Sequence, residues 1–173
     1  MTTAPTAPAP GLLSPELIAM IDHGVSVIVS SRDAALRPSL MRAVGSRIDA
    51  DGSEITVYLA RSQSTQLLQD MASSGRISVV FSSPTSHRSV QVKGTGIHGR
   101  AATAADLPLL RRYLQAMEFE ICSIGYRLEL VHAMLAFDLD DLVAISFRPS
   151  EAYDQTPGPK AGSPLVQETG AHP

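Results

Sequence analysis

Six consecutive residues, Arg61-Ser62-Gln63-Ser64-Thr65-Gln66, gather one cation and three hydroxyls just before the apolar helical positions Leu67, Leu68 and Met71. A helix N-terminus carries unpaired N–H groups and a partial positive charge, which suits it to hold an anion. An arginine beside it can grip a phosphate with two parallel hydrogen bonds. The segment therefore reads as a phosphate cradle. The alternative is that Ser64 only caps the helix and Arg61 is solvated, because serine is also a preferred cap. No acid–base pair or nucleophile triad accompanies the cradle. The five histidines, His23, His87, His98, His132 and His172, show no metal-binding spacing, and the single cysteine, Cys122, excludes an internal disulfide or a cysteine metal site. If the chain is an enzyme, a cofactor must carry the chemistry and the protein must orient it.

The elements around this segment follow from periodicity. Ile55, Val57 and Leu59 alternate with Thr56 and Tyr58 as in a half-buried strand, and Ile77, Val79 and Phe81 repeat the pattern after the Ser73-Ser74-Gly75 helix stop. Upstream, Ser14-Pro15-Glu16 opens a short helix that ends at Asp22-His23-Gly24. Val25 to Val29 is a β-branched strand, and residues 39–48 pair back as a longer second one before the Asp49-Ala50-Asp51-Gly52 hairpin turn. Downstream, Val90-Gln91-Val92-Lys93 begins a fifth strand, in which Gly94 and Gly96 suggest a bulge or close backbone approach. Thr103 caps a helix bearing Leu107, Leu110, Leu114 and Met117. Periodicity does not decide between strand and helix for Tyr126 to Val131, whereas Val143, Ile145 and Phe147 mark a sixth strand. Six strands with few helices point to a small closed antiparallel barrel, since closure removes exposed edges.

At 173 residues, 44% hydrophobic and a net charge of -3, the chain has the makings of one ordinary globular domain. Residues 1–13 are expected as a disordered Pro/Ala/Thr tail, 14–153 as the barrel domain and 154–173 as a flexible, turn-rich tail. Basic residues recur singly along the strands, a pattern that suits a small anionic ligand and gives no reason to expect nucleic acid. No apolar run reaches the roughly 18 residues of a membrane helix, and no signal-peptide pattern opens the chain, so a cytoplasmic location is expected.

The order of elements resembles the flavin-binding split-barrel superfamily, the pyridoxamine 5'-phosphate oxidase-like proteins. Three stretches carry the likeness across residues 14–153: Val57-Tyr58-Leu59-Ala60-Arg61-Ser62-Gln63-Ser64-Thr65, Arg88-Ser89-Val90-Gln91-Val92-Lys93-Gly94, and Asp141-Leu142-Val143-Ala144-Ile145-Ser146-Phe147-Arg148-Pro149. The resemblance implies a six-stranded split barrel of mainly β structure that forms a homodimer, with FMN between the subunits. It further implies that Arg42, Arg61, Ser62, Ser64 and Thr65 hold the FMN phosphate. Tyr58, Leu59 and Ala60 would border the isoalloxazine with their backbone, and Ser89 and Gln91 would approach the ring or ribityl chain from the other subunit. The activity implied is hydride transfer through flavin N5 between a small-molecule substrate and an electron donor. Deazaflavin and haem, and binding without turnover, are the alternatives within the superfamily; a haem would need His87, His98 or His132 as its axial ligand. The chain departs from the family pattern where Ser64-Thr65 stands in place of Arg-Lys and Ser89 in place of glutamine. It also lacks the C-terminal segment that recognises pyridoxamine phosphate, so vitamin B6 oxidation is not expected.

Overall fold

The computed structural model describes residues 11–165. Helix α1 (Pro15–His23) starts as its sequence dictates: Pro15 needs no N–H partner in the first turn, and Ser14 Oγ accepts from the Leu17 amide at 3.3 Å. Its apolar side, Leu17 and Ile21, is buried, and so is Leu13, so packing begins ahead of residue 14. The rest of the expected N-terminal tail, residues 1–10, lies outside the described residues.

Seven antiparallel strands follow: β1 (Ser26–Arg32), β2 (Pro38–Arg42), β3 (Gly45–Ile48), β4 (Ile55–Ala60), β5 (Ile77–Ser82), β6 (Ser89–Ala101) and β7 (Leu142–Asp154). Their order is β2-β1-β5-β6-β7-β4-β3. The count exceeds the expected six because the second strand breaks in the middle. Its first half pairs with β1, from Arg42 opposite Ile28 to Pro38 opposite Arg32. Its second half pairs with β4, from Gly45 opposite Tyr58 to Ile48 opposite Ile55. Between them, the Ala43 amide donates to the Val27 carbonyl at 3.0 Å and the Val44 amide to the Tyr58 carbonyl at 2.9 Å. The two ends of the sheet are thus one continuous stretch of chain, and the sheet closes on itself.

Inside the barrel sit Val27, Val29, Val57, Leu59, Val79, Phe81, Val92, Ile145 and Phe147, joined by α1 and by residues of α2 (Thr65–Ser74). Gly75 ends α2 in the left-handed conformation its lack of a Cβ permits (φ 63). Helix α3 (Leu107–Ser123) follows a capping box between Thr103 and Asp106, and α4 (Leu128–Met134) is the ambiguous segment. Residues 128–134 are helical because the spacing of Val131 and Leu135 buries both, while strand alternation would have buried Leu128 and Leu130, which stay exposed. Residues 154–165 are not a loose tail. The Asp154 amide donates to the Ser163 carbonyl at 2.9 Å and the Leu165 amide to the Ala152 carbonyl at 2.8 Å, returning the chain along β7. Residues 166–173 lie outside the described residues. No helix among the described residues is long and apolar enough to cross a membrane.

The glycine signal in β6 is a pair of register shifts, between Lys93 and Gly94 and between Thr95 and His98. A Cβ on Gly94 would overlap the Phe147 ring and lie 2.6 Å from the Arg148 carbonyl oxygen. The backbone oxygen cannot swing aside as a flexible side chain would. Gly94→Ala should therefore destabilise the fold by about 1–3 kcal/mol, read as a lower urea midpoint, while Gly75→Ala, with open space around it but a left-handed backbone, should cost about 1 kcal/mol.

Candidate functional site

The residues singled out by sequence fall into three groups in space. The first is the loop from β4 into α2. Its backbone turns tightly, with the Arg61 amide on the Asp141 carbonyl at 2.7 Å and the Ser64 amide on the Arg61 carbonyl at 3.1 Å. Asp141, from the turn before β7, also presents its carboxylate here: the Ser62 amide donates to Oδ1 at 3.0 Å and Ser62 Oγ donates to Oδ2 at 2.6 Å. Ser62 is thus committed to an anion the chain supplies itself. Sequence reasoning quoted Asp141 only as the start of a strand; its acidity beside a donor-rich loop was the available signal.

Past Ser62 the loop is open. The amides of Thr65, Gln66 and Leu67 find no acceptor among the described residues. Ser64, 2% exposed, takes the N-cap position, yet its hydroxyl makes no capping bond and has no partner among the described residues. A buried hydroxyl without a partner costs about 1–3 kcal/mol, so it marks a place where a further group would be welcome. The Arg61 guanidinium is solvent-facing and holds no acceptor among the described residues, and Thr65 is exposed. Leu59 and Ala60 run beyond the last β3 pairing at Tyr58; both pair with β7, and the Ala60 carbonyl accepts from the Gln63 amide at 3.2 Å as the chain turns into the loop.

The second group is a buried lock. Tyr58 points its side chain inward, donating to Asp106 Oδ1 at 2.8 Å, while Arg100 on β6 grips the same carboxylate at 2.6 and 2.8 Å and the Thr103 amide adds a fourth bond at 2.8 Å. The Arg100 bonds hold the Asp106 carboxyl well below its ordinary 3.8, assisted by Thr103 and Tyr58 and opposed by burial. Burial, with the bond to Asp106, pushes the Tyr58 phenol up to about 12. The Tyr58 side chain is thus committed to Asp106, and its carbonyl accepts from the Val44 amide at 2.9 Å. Arg42 is occupied separately: its Nη1 donates to Ser26 Oγ at 2.8 Å, and it makes no hydrogen bond to the α2 loop among the described residues.

The third group lies on β6. Ser89 Oγ donates to Ser82 Oγ at 2.8 Å, and Gln91 donates to Ser78 Oγ at 2.9 Å while accepting from Gln155 at 3.3 Å. These residues line two different cavities, Ser89 one of about 260 Å³ and Gln91 one of about 360 Å³. Neither cavity includes residues 61–65. Of the histidines, His132 is tied to Glu118 at 2.6 Å and His87 sits in a turn at φ 60. His98 alone borders an apolar groove, of about 410 Å³, with Leu68, Met71, Ile97 and Ile145.

No protein-family model matches the chain, and no curated protein matches its sequence. Solved structures share its fold. HupZ of Group A Streptococcus superposes with a TM-score of 0.51 at 15% identity, covering 87% of this chain and 99% of that one. A candidate pyridoxamine 5'-phosphate oxidase from Lactobacillus delbrueckii gives 0.51 at 12% identity, over 82% and 93%. An F420 reductase gives 0.51 at 14%, over 78% and 93%. The architecture is that of the pyridoxamine 5'-phosphate oxidase-like split barrels, mainly antiparallel β with short helices, as the resemblance in sequence implied.

The lock has a pH signature. A carboxyl held below its ordinary value stabilises the fold fully above about pH 4 and loses that contribution as pH falls below it. Asp106→Asn should lower stability near neutrality by about 1–3 kcal/mol, and the gap to the parent chain should narrow below about pH 4, measured by urea unfolding across pH 2.5–7.

Proposed function

We propose that this protein binds a flavin-type cofactor by its phosphate at the start of α2 and works as a small oxidoreductase, without being a pyridoxamine phosphate oxidase. One observation carries the reading: the partnerless, buried Ser64 hydroxyl beside the open amides of residues 65–67 and the unengaged Arg61 guanidinium. Such a set suits a phosphate dianion, which accepts several charged hydrogen bonds at once. Among proteins of this fold, one is named as a candidate pyridoxamine 5'-phosphate oxidase and one as an F420 reductase, which supports FMN first and a deazaflavin second. When bound, a flavin supplies hydride transfer at N5. The chain's own part is to seat the phosphate on residues 64–66, to set the end of β4 at Leu59 and Ala60 beside the ring, and to fix that strand through the buried Tyr58 side chain.

Asp141 sets a limit on this seat. Its carboxylate takes the Ser62 donors, so the phosphate is received on the Thr65 side and not across the whole loop. A homodimer fits the same reading: Gln91 and Ser89 do not share a cavity with residues 61–65 in one chain, and Leu40, 64% exposed on the barrel's outer face, would be covered by a second copy. Haem is a second reading, favoured by His98 alone. Its Nδ1 lies 3.3 Å from the Gly96 carbonyl and its Nε2 4.0 Å from Glu54 Oε2, so Nε2 would ligate iron at the mouth of the apolar groove only by leaving Glu54.

Quenching of FMN fluorescence tests the proposal. The parent chain should bind FMN, Arg61→Ala should weaken binding about tenfold, and Asp141→Asn should tighten it several-fold by removing a like charge. An FMN signal indifferent to Arg61, or a Soret band that is lost in His98→Ala, would replace the flavin reading.

A further inference from the structure

The groove beside Gln91 crosses the outer face of β1, β5, β6 and β7. Arg32, Arg76 and Lys93 line it, opposed by a single lining carboxylate, Glu151. Glu151 is already spoken for: Lys93 Nζ lies 3.2 Å from Oε2, and the Tyr153 hydroxyl donates to the same oxygen. Arg76 forms no side-chain hydrogen bond or ion pair among the described residues, and Arg32 donates only to the Asp33 carbonyl at 3.2 Å. The backbone beneath Arg76 is nonetheless pinned, its carbonyl accepting from Ser31 Oγ at 2.8 Å and its amide donating to Ser74 Oγ at 3.2 Å. Two guanidinium groups therefore stand at one concavity, that of Arg76 without a hydrogen-bond partner among the described residues and that of Arg32 with one backbone acceptor. The floor between them is neutral and polar: Ser30 donates to the Ser78 carbonyl at 3.1 Å, and Gln91 bridges to Ser78.

A groove of about 360 Å³ is of small-ligand size. A concave surface with three cations against one engaged carboxylate concentrates positive potential, even on a chain of net charge -3. Guanidinium forks match the oxygens of a phosphate, and a floor of hydroxyls and an amide matches a hydroxylated body better than an apolar one. We infer that this groove is a second ligand site, for a small sugar-phosphate-like anion, with Arg32 and Arg76 gripping the phosphate and Gln91 and Ser78 facing the hydroxyls. It shares no residue with the α2 cradle and stands whether or not that cradle takes a flavin.

Ribose 5-phosphate is the probe. In low-salt buffer it should shift the backbone amide signals of Ser78 and Lys93 in the unmodified chain and bind in a saturable way by calorimetry. The double variant Arg32→Gln/Arg76→Gln should bind it roughly tenfold more weakly or worse. Arg112→Gln, whose side chain pairs with Asp22 outside the groove, and Arg61→Ala should leave its affinity unchanged; thermal melts check that each variant folds. Absence of amide shifts at the groove overturns the inference. So does an equal loss in Arg112→Gln, which would signal unspecific charge attraction, or full competition by FMN together with loss in Arg61→Ala, which would merge the groove with the cradle.

Discussion

The architecture depends on one change of hydrogen-bonding partner. At Ala43 and Val44 the chain leaves β1 for β4, and the two consecutive amides donate to Val27 and Tyr58, at opposite ends of the sheet order. Without that handover the sheet would have two raw edges, β2 and β3, each able to template pairing with another chain. The junction is dry: Ala43 is fully buried, Val44 nearly so, and a Cβ on the following Gly45 would come within 2.6 Å of a Leu110 methyl. Closure also decides where the sheet stays open. Because β3 meets β4 only as far as Tyr58, the last two residues of β4 pair with β7 alone among the strands, and the loop into α2 begins just there.

Buried carboxylates then fasten the peripheral elements to this ring. Asp106 ties the start of α3 to β4 and β6 through Tyr58 and Arg100. Asp70 on α2 accepts from Ser39 on β2 at 2.6 Å and from Gln66 at 2.8 Å, and Glu120 on α3 collects Ser83 and Thr85 from the turn between β5 and β6. Each is satisfied by several donors, the condition under which a buried acid specifies geometry and does not merely destabilise. The helices are held by directional bonds at their ends as well as by apolar area, so the loop ahead of α2 starts from a fixed position.

Most of this frame was legible in the sequence because it rests on local chemistry. The Ser14 cap, the Asp51-Gly52 turn, the Gly75 stop and the bulge at Gly94 each follow from what one or two residues permit. The break at Ala43 was not legible, since Met41-Arg42-Ala43-Val44 carries no turn residue and the change of partner exists only in three dimensions. Pro149 should have ended the last strand; it is tolerated because it stands opposite Gly94 at the register shift, where no N–H is required. The site was legible to the same degree. The loop from Arg61 to Thr65 was found from residue types, but its acid, Asp141, lies 79 residues from Ser62. The engagement of Arg42 with Ser26, and of the Tyr58 side chain with Asp106, came likewise from distant partners that no periodicity reveals.

The distribution of charge explains how an acidic chain presents cationic concavities. The buried acids Asp70, Asp106 and Glu120 and the half-buried Asp141 are held by donors of the chain itself, and all but Asp106 are met by neutral groups. Except at Asp106, which takes Arg100, their negative charge is absorbed by amides and hydroxyls without consuming an arginine. Arg32, Arg61 and Arg76 are thereby left without carboxylate partners, at the edges of a loop and a groove. Net charge counts every ionised group equally, whereas a ligand meets only those whose fields are not already cancelled at close range. The excess of acids over bases in this sequence is therefore compatible with surfaces that select anions, and the placement of the acids inside the structure is what makes those surfaces positive.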